Sequence, residues 1–194
     1  MGRFRCFSVA LAVALFASGT TQAQVIEFNF PLEGTQEVPM NNTNAAGVVS
    51  LFEYDMATQT FDLDTFIVGI GIDDLLGVGP NSTPFHIHMA SPGTNGPIVV
   101  DLGLLGSFFE DGSGIRMQLD DVLLGGVQGG IESDPMLNEA ALFAGDLYVN
   151  LHTSSFPGGH LRGQVVPEPA TFLILLGGAM FLGRSRRPRR RSVQ

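Results

Sequence analysis

Four histidines are the residues of this chain with the clearest capacity for chemistry, and two of them are separated by a single residue. His86 and His88 flank Ile87, and alternate residues of a β-strand point to the same face of a sheet. Two imidazoles on one face can bind one ion, and His152 or His160 can supply a further ligand of the kind that zinc and copper prefer. The spacing predicts a candidate metal site at His86, His88, His152 and His160.

The same histidines have two other interpretations, a structural role in hydrogen bonding and a role in catalysis. No Gly-x-Ser-x-Gly motif, no Asp-x-Asp-x-Asp-Gly loop and no phosphate-binding loop accompanies them in the sequence. We therefore expect the structural role, with no catalytic residues, no enzyme activity and no cofactor. Binding of copper or zinc is the alternative.

The strands that carry these residues are predicted to place them on one polar face. The strand at 147–152 has its leucines and valine on one side, which leaves Asn150 and His152 on the other. The next strand presents Arg162 outward in the same way. If both apolar faces pack on one core, the numbers of paired residues add up to an even number, and a sum of 312 sets His152 opposite His160. The predicted polar cluster consists of His86, His88, Asn150, His152, His160 and Arg162.

Residues 24–166 are predicted to form one all-β domain, an antiparallel β-sandwich or barrel-like fold. Short alternating runs recur between Gly, Pro, Asn and Ser, and long helical periodicity is absent. Eight short strands are expected, at 25–30, 47–54, 61–68, 85–89, 98–102, 115–119, 147–152 and 161–166. One short helix is expected at 136–143, capped by Ser133 or Asp134, and 125–134 is expected to be a surface loop.

Residues 1–23 have the composition of a signal peptide. Arg3 and Arg5 precede an apolar stretch, and small residues lead to an expected signal-peptidase cleavage after Ala23. Cys6, the only cysteine, lies before the apolar stretch. The exported part is therefore expected to have no thiol and no disulfide.

Residues 167–194 combine a Pro-Glu-Pro motif, an apolar segment and an arginine cluster. At about 1.5 Å per residue the apolar segment spans roughly 21 Å, less than the ~30 Å of a hydrocarbon core. This length suits transient membrane insertion better than a permanent transmembrane helix, the alternative. The arginines would remain on the cytoplasmic side, because charges cross a bilayer at high cost. The expected sorting residues are Pro167, Glu168, Pro169, Arg184, Arg186 and Arg187.

The order of these parts resembles the PEP-CTERM sorting signal of Gram-negative bacteria. The resemblance implies an exosortase-type enzyme that recognises the tail and cuts at the Pro-Glu-Pro motif.

The segment between the two ends is strongly acidic. Two arginines against eighteen acidic residues give 24–166 a net charge of −16, whereas the basic tail brings the whole chain to −9. Such a charge repels the phosphates of nucleic acids. We therefore exclude nucleic acid as a partner.

Three ordered motifs carry a second resemblance. They are Leu32-x-Gly34-x-x-Glu37-Val38-Pro39, then His86-Ile87-His88 with Gly93-x-Asn95-Gly96-Pro97, then Leu147–Thr153 with Pro157-Gly158-Gly159 and Arg162-Gly163. Together they resemble the CHRD domain, across residues 28–166. The resemblance implies an extracellular β-rich module without an established enzyme activity. His160 stands where the family usually has an acidic residue, so Arg162 lacks that carboxylate.

The sequence therefore predicts an exported, non-enzymatic CHRD-type structural or binding module in a Gram-negative bacterium. Its expected location is the periplasm, the outer envelope or the extracellular polymer matrix. Its expected partners are signal peptidase, an exosortase-type enzyme and extracellular polysaccharide or envelope components. The alternative is a histidine-based protein that binds copper or zinc, with or without redox activity.

Overall fold

An antiparallel sheet of nine strands, curled into a half-barrel, dominates the computed structural model, which describes residues 24–76 and 83–166. The expected signal peptide and sorting tail lie outside these residues. The strands are β1 (Val25–Glu33), β2 (Ala46–Asp55), β3 (Thr60–Val68), β4 (Phe85–Met89), β5 (Ile98–Asp101), β6 (Phe109–Asp111), β7 (Gly114–Leu123), β8 (Gly126–Gln128), β9 (Ile131–Ser133), β10 (Leu147–Leu151) and β11 (Leu161–Val165). All but β8 and β9 join the large sheet, in the order β5-β4-β10-β11-β1-β2-β3-β7-β6. The predicted all-β class is confirmed.

The core lies on the inner face of the curl. Alternate residues of β1 are buried and exposed, as a strand with one face on a core requires. Phe52 stacks on Phe61 with 4.7 Å between ring centres, and the edge of Phe28 packs at 5.8 Å from Phe52. The buried apolar residues form a single cluster that includes residues of β5, at one end of the strand order, and of β7, next to the other end.

Two helices longer than a single 3-10 turn accompany the sheet in the described residues, α1 (Leu102–Leu105) and α2 (Pro135–Ala144). The side chain of Asp134 accepts a hydrogen bond from the backbone N–H of Met136 at 2.9 Å. Gly145 ends α2 in the left-handed region, with φ of 74°. The predicted helix and one of its two proposed caps are confirmed, whereas α1 was not predicted.

The expectation of a surface loop at 125–134 is wrong for most of that segment. Strands β8 and β9 pair there as an antiparallel hairpin. Gly129 and Gly130 form its two-residue turn with φ values of 57° and 92°, a combination that glycine adopts readily. Each strand has only three residues, too few for alternation to be evident in the sequence.

The pairing of β10 with its neighbours confirms the predicted register. Asn150 lies opposite Arg162 on β11 and opposite His86 on β4, and Tyr148 lies opposite His88. Every residue of β10 and β11 is buried, so the polar face of these strands is covered as well as the apolar face. No helix in 24–76 or 83–166 is long and apolar enough to cross a membrane.

Close packing of β11 against β1 makes Gly163 sensitive to substitution. A Cβ at this position would lie 2.6 Å from Leu32 Cδ2 and from the carbonyl oxygen of Pro31. We expect Gly163→Ala to lower the free energy of unfolding by about 1–3 kcal/mol through overpacking. Gly158→Ala is the matched control, since a Cβ there meets nothing within 4 Å. Denaturant unfolding of both variants tests this, and equal stabilities would contradict the described approach of the strands.

Candidate functional site

Three of the four histidines meet on one face of strands β4 and β10. His86 and His88 lie on β4, and His152 directly follows β10. Each of the three residues has one ring nitrogen that lies within 4.8 Å of such a nitrogen in the other two residues. The ring centres of His86 and His152 are 5.2 Å apart, those of His86 and His88 are 5.6 Å apart, and those of His88 and His152 are 6.1 Å apart. We call these three residues the histidine cluster.

Backbone carbonyls orient two of the three rings. His88 Nδ1 lies 3.0 Å from the carbonyl oxygen of Gly96, and His152 Nδ1 lies 3.0 Å from that of Pro157. A carbonyl oxygen can only accept a hydrogen bond, so Nδ1 carries the proton in both neutral rings. Nε2 of each ring is therefore left with an unprotonated lone pair.

A buried carboxylate and a hydroxyl orient the third ring. His86 Nε2 lies 3.4 Å from Thr83 Oγ1 and 3.8 Å from Asp101 Oδ1. The Thr83 hydroxyl donates to Asp101 in a short contact, so its oxygen is free to accept from His86 Nε2–H. This arrangement leaves the lone pair on Nδ1. A carboxylate behind an imidazole is the usual outer partner of a metal-binding histidine.

The remaining nitrogens of the cluster have no hydrogen-bond partner. In the part of the chain that the structure describes, five buried side-chain atoms lack a partner: Glu37 Oε1, His86 Nδ1, His88 Nε2, Asn150 Oδ1 and His152 Nε2. Leaving one buried polar group unsatisfied costs about 1–3 kcal/mol. Three of the five atoms are the lone-pair nitrogens of the cluster, which are the atoms that a metal ion would use.

Burial keeps the cluster uncharged. It lowers the pKa of His86 to about 3, with the adjacent His152 and His88 adding to the effect. Burial also lowers the pKa of His88 to about 4 and lowers the pKa of His152. His86 is near enough to Asp101 for an ion pair, but its lowered pKa means that a neutral ring faces the carboxylate at neutral pH. Neutral imidazole is the form that binds metals.

His160 lies apart from the cluster and has a different environment. Its Nε2 lies 2.6 Å from Thr43 Oγ1, its Nδ1 lies 2.8 Å from Thr153 Oγ1, and its ring packs on Phe156. Both nitrogens are therefore hydrogen-bonded. His152 and His160 sit just beyond the paired ends of β10 and β11, and their rings turn to different partners.

Arg162 belongs to a stack that ends at the cluster. Its guanidinium lies 3.5 Å from the centre of the Tyr148 ring, and that ring stacks on His88 with centres 4.9 Å apart. The guanidinium donates to the Thr94 carbonyl at 2.8 Å and to the Gln164 side chain at 3.0 Å. Of the predicted polar cluster, His86, His88, His152 and Asn150 thus lie together, and Arg162 lies one strand away.

Glu37 is a site residue for which the sequence indicated no role beyond its place in a motif. It is 5% exposed, and burial raises the pKa of its carboxyl to about 7. The positive charge of Arg162 acts in the opposite direction and lowers this pKa. Thr83 and Asp101 were also missed, because only the folded chain brings them behind His86.

The donor set fits a metal ion in its chemistry. Three neutral nitrogens suit zinc or copper, at bond lengths of about 2.0–2.1 Å for zinc. A tetrahedral ion with such bonds holds its ligands roughly 3.3 Å apart. One ring nitrogen from each residue lies within 4.8 Å of the other two, so the cluster is close to the size of such a site.

The curled sheet and its buried polar face define an all-β module, and comparison with known proteins identifies the family. The CHRD domain family matches residues 28–165, well over half of the chain. The chain therefore belongs to the CHRD domain family, which confirms the resemblance found in the sequence. CHRD domains are typical of secreted proteins. No curated protein and no solved structure matches the chain.

The predicted processing residues lie outside the described residues, so they remain predictions. They are Ala23, Pro167, Glu168, Pro169, Arg184, Arg186 and Arg187.

Lowered histidine pKa values predict an acid-sensitive metal-free protein. Between pH 6.5 and about 4, the unfolded histidines take up protons that His86 and His88 do not take up in the folded state, so the free energy of unfolding falls. Replacing both by Gln should make this fall smaller. Denaturant unfolding of metal-free protein at several pH values measures it, and identical pH profiles for the wild type and the variant would contradict the account.

Proposed function

We propose that this CHRD-domain protein is an exported metal-binding protein that holds one copper or zinc ion through His86, His88 and His152. The observation that carries the proposal is the pattern of hydrogen bonds around the three rings. Each ring has a polar partner at one nitrogen, on its outer side, and none at the other. The unpartnered nitrogens are buried, and one ring nitrogen from each residue lies within 4.8 Å of those from the other two.

His160 provides an internal comparison for this argument. Hydroxyl groups of Thr43 and Thr153 satisfy both of its nitrogens, as expected of a histidine with a purely structural role. His86 and His88 are as buried as His160 and His152 is half-buried, yet each ring of the histidine cluster has one buried nitrogen without a partner. A structural role alone therefore accounts for His160 but not for His86, His88 and His152.

The charge balance around the cluster supports a cation. Asp101 is 1% exposed and lies behind His86, and Glu37 is a further buried acid near the same sheet face. The positive charge of Arg162 lies on the opposite side of the Tyr148 ring from His88. A bound cation adds positive charge that the two buried acids can offset. With no cysteine in 24–166, the ligand set contains no thiolate.

Export and sorting form the second part of the proposal. The two ends of the chain support removal of 1–23 by signal peptidase and recognition of 167–194 by an exosortase-type enzyme. The product would be a non-enzymatic module of the periplasm, outer envelope or extracellular matrix. In that setting the acidic surface would meet polysaccharide or other envelope components. Family membership supports the extracellular location.

We expect purified, metal-stripped protein to bind one equivalent of Zn²⁺ or Cu²⁺ by isothermal titration calorimetry. The double variant His86→Ala, His88→Ala should lose this binding, because one imidazole does not retain the ion. Excess ion should raise the unfolding temperature of the wild type, with about 2.7 kcal/mol of stabilisation at 100 times Kd.

The matched control is His160→Gln, which removes a histidine that is bonded at both nitrogens. This variant should lose stability but keep the stoichiometry of one ion. Failure of the wild type to bind either ion stoichiometrically would refute the metal proposal.

For the sorting part, we expect intact mass spectrometry of the exported protein to show a chain that begins after Ala23 and ends near Pro167–Pro169. The arginine cluster is not expected in the mature chain, because the proposed cut precedes it. Detection of Arg184 or Arg187 in that chain would contradict cleavage at the Pro-Glu-Pro motif.

A further inference from the structure

A metal ion in the histidine cluster would satisfy three of the five unpartnered buried atoms and leave two. Both of these are oxygens, Asn150 Oδ1 and Glu37 Oε1. An amide oxygen can only accept a hydrogen bond, so Asn150 Oδ1 requires a donor that the protein does not supply. Water bound to a metal ion is a strong donor.

Asn150 occupies the position on the sheet from which it can reach such a water. It lies directly opposite His86 across the β4–β10 pair, and it precedes His152 by two residues on the same strand face. Its side chain is buried, with only 3% exposure. Asn150 is thus a neighbour of two proposed metal ligands.

Glu37 determines which end of the Asn150 amide faces the cluster. Above its raised pKa of about 7 the Glu37 carboxyl is mainly ionised and can only accept hydrogen bonds, so it favours the donor end of the Asn150 amide, Nδ2, on its side. The Glu37 carboxylate lies on the side of Gly159, where a Cβ would approach it to 2.5 Å, and near Arg162. With Nδ2 directed to this side, Oδ1 is left for the side of His86.

We propose that Asn150 is a positioning residue that accepts a hydrogen bond from a water molecule in the fourth coordination position of the metal, with its amide oriented by Glu37. The inference rests on the proposed metal site. It makes the fourth position selective for ligands that carry a hydrogen atom, such as water, hydroxide or another hydroxyl group. A hydrogen-free anion would face the lone pairs of the amide oxygen.

Azide is a suitable probe because it binds metals and has no hydrogen atom to donate in its anionic form. Wild-type protein loaded with Co²⁺ at pH 8 would be titrated with azide and followed by its visible absorption. In Asn150→Leu the oxygen that opposes azide is absent. We therefore expect azide to bind this variant roughly three- to tenfold more tightly than the wild type, a change of the size of one hydrogen bond. In Asn150→Asp a charged acceptor replaces the amide, so azide should bind more weakly than to the wild type.

Asn138→Leu is the control for loss of a buried amide. Asn138 lies on α2 and bonds to the Leu124 carbonyl and to Ser133, so this variant should keep the wild-type azide affinity. Both Asn150 variants should keep their Co²⁺ affinity within about threefold, because Asn150 is not a ligand. Glu37→Gln should shift azide affinity in the same direction as Asn150→Leu, by less.

Azide affinities within twofold of one another for the wild type, Asn150→Leu and Asn150→Asp would overturn the inference while leaving the metal site intact. Water-proton relaxation of Cu²⁺-loaded wild type provides a second test that needs no variant. An exchangeable bound water is expected, and its absence would overturn the inference. A wild type that binds no ion would overturn the proposed function as well, so the two failures are distinguishable.

Discussion

Strands β4, β10 and β11 are buried on both faces, and this burial determines what their polar side chains must do. On the apolar face they contribute to the core. On the other face, connecting segments cover them, and the carbonyl oxygens of Gly96 and Pro157 bond to histidine rings. Arg162 reaches the Thr94 carbonyl in the same layer. Because water is excluded there, each polar atom needs a partner within the protein or in a bound ligand.

Most of this layer meets that requirement, and the exceptions are concentrated in one place. The Arg162 guanidinium and both nitrogens of His160 have partners, whereas each ring of the histidine cluster lacks one. Each unsatisfied group costs about 1–3 kcal/mol, against a total stability of about 5–15 kcal/mol for an ordinary domain. Several such costs side by side are difficult to sustain without a compensating ligand. The proposed metal ion and its water would supply the missing partners together.

Much of this layer could be predicted from the sequence, because strand alternation and register depend on local patterns. The alternation of residues between the two faces of a strand allowed the pairing of Asn150 with Arg162 to be predicted, and it placed His86 and His88 on one face. Burial of that polar face could not be predicted, since the alternation of 147–152 is equally typical of a strand exposed on one side. The partners of His86 and Glu37 come from distant segments, and the different surroundings of His152 and His160 depend on the path of the turn between them. These features depend on tertiary structure, which a single sequence does not specify.

In the proposed site three imidazole nitrogens, rather than surface carboxylates, bind the ion. X-ray absorption spectroscopy of purified protein loaded with one equivalent of Zn²⁺ distinguishes these two ligand sets. We expect three histidine nitrogens and one oxygen, with zinc–nitrogen distances of about 2.0–2.1 Å. A shell of oxygens alone, as expected for zinc held by the acidic surface, would contradict it.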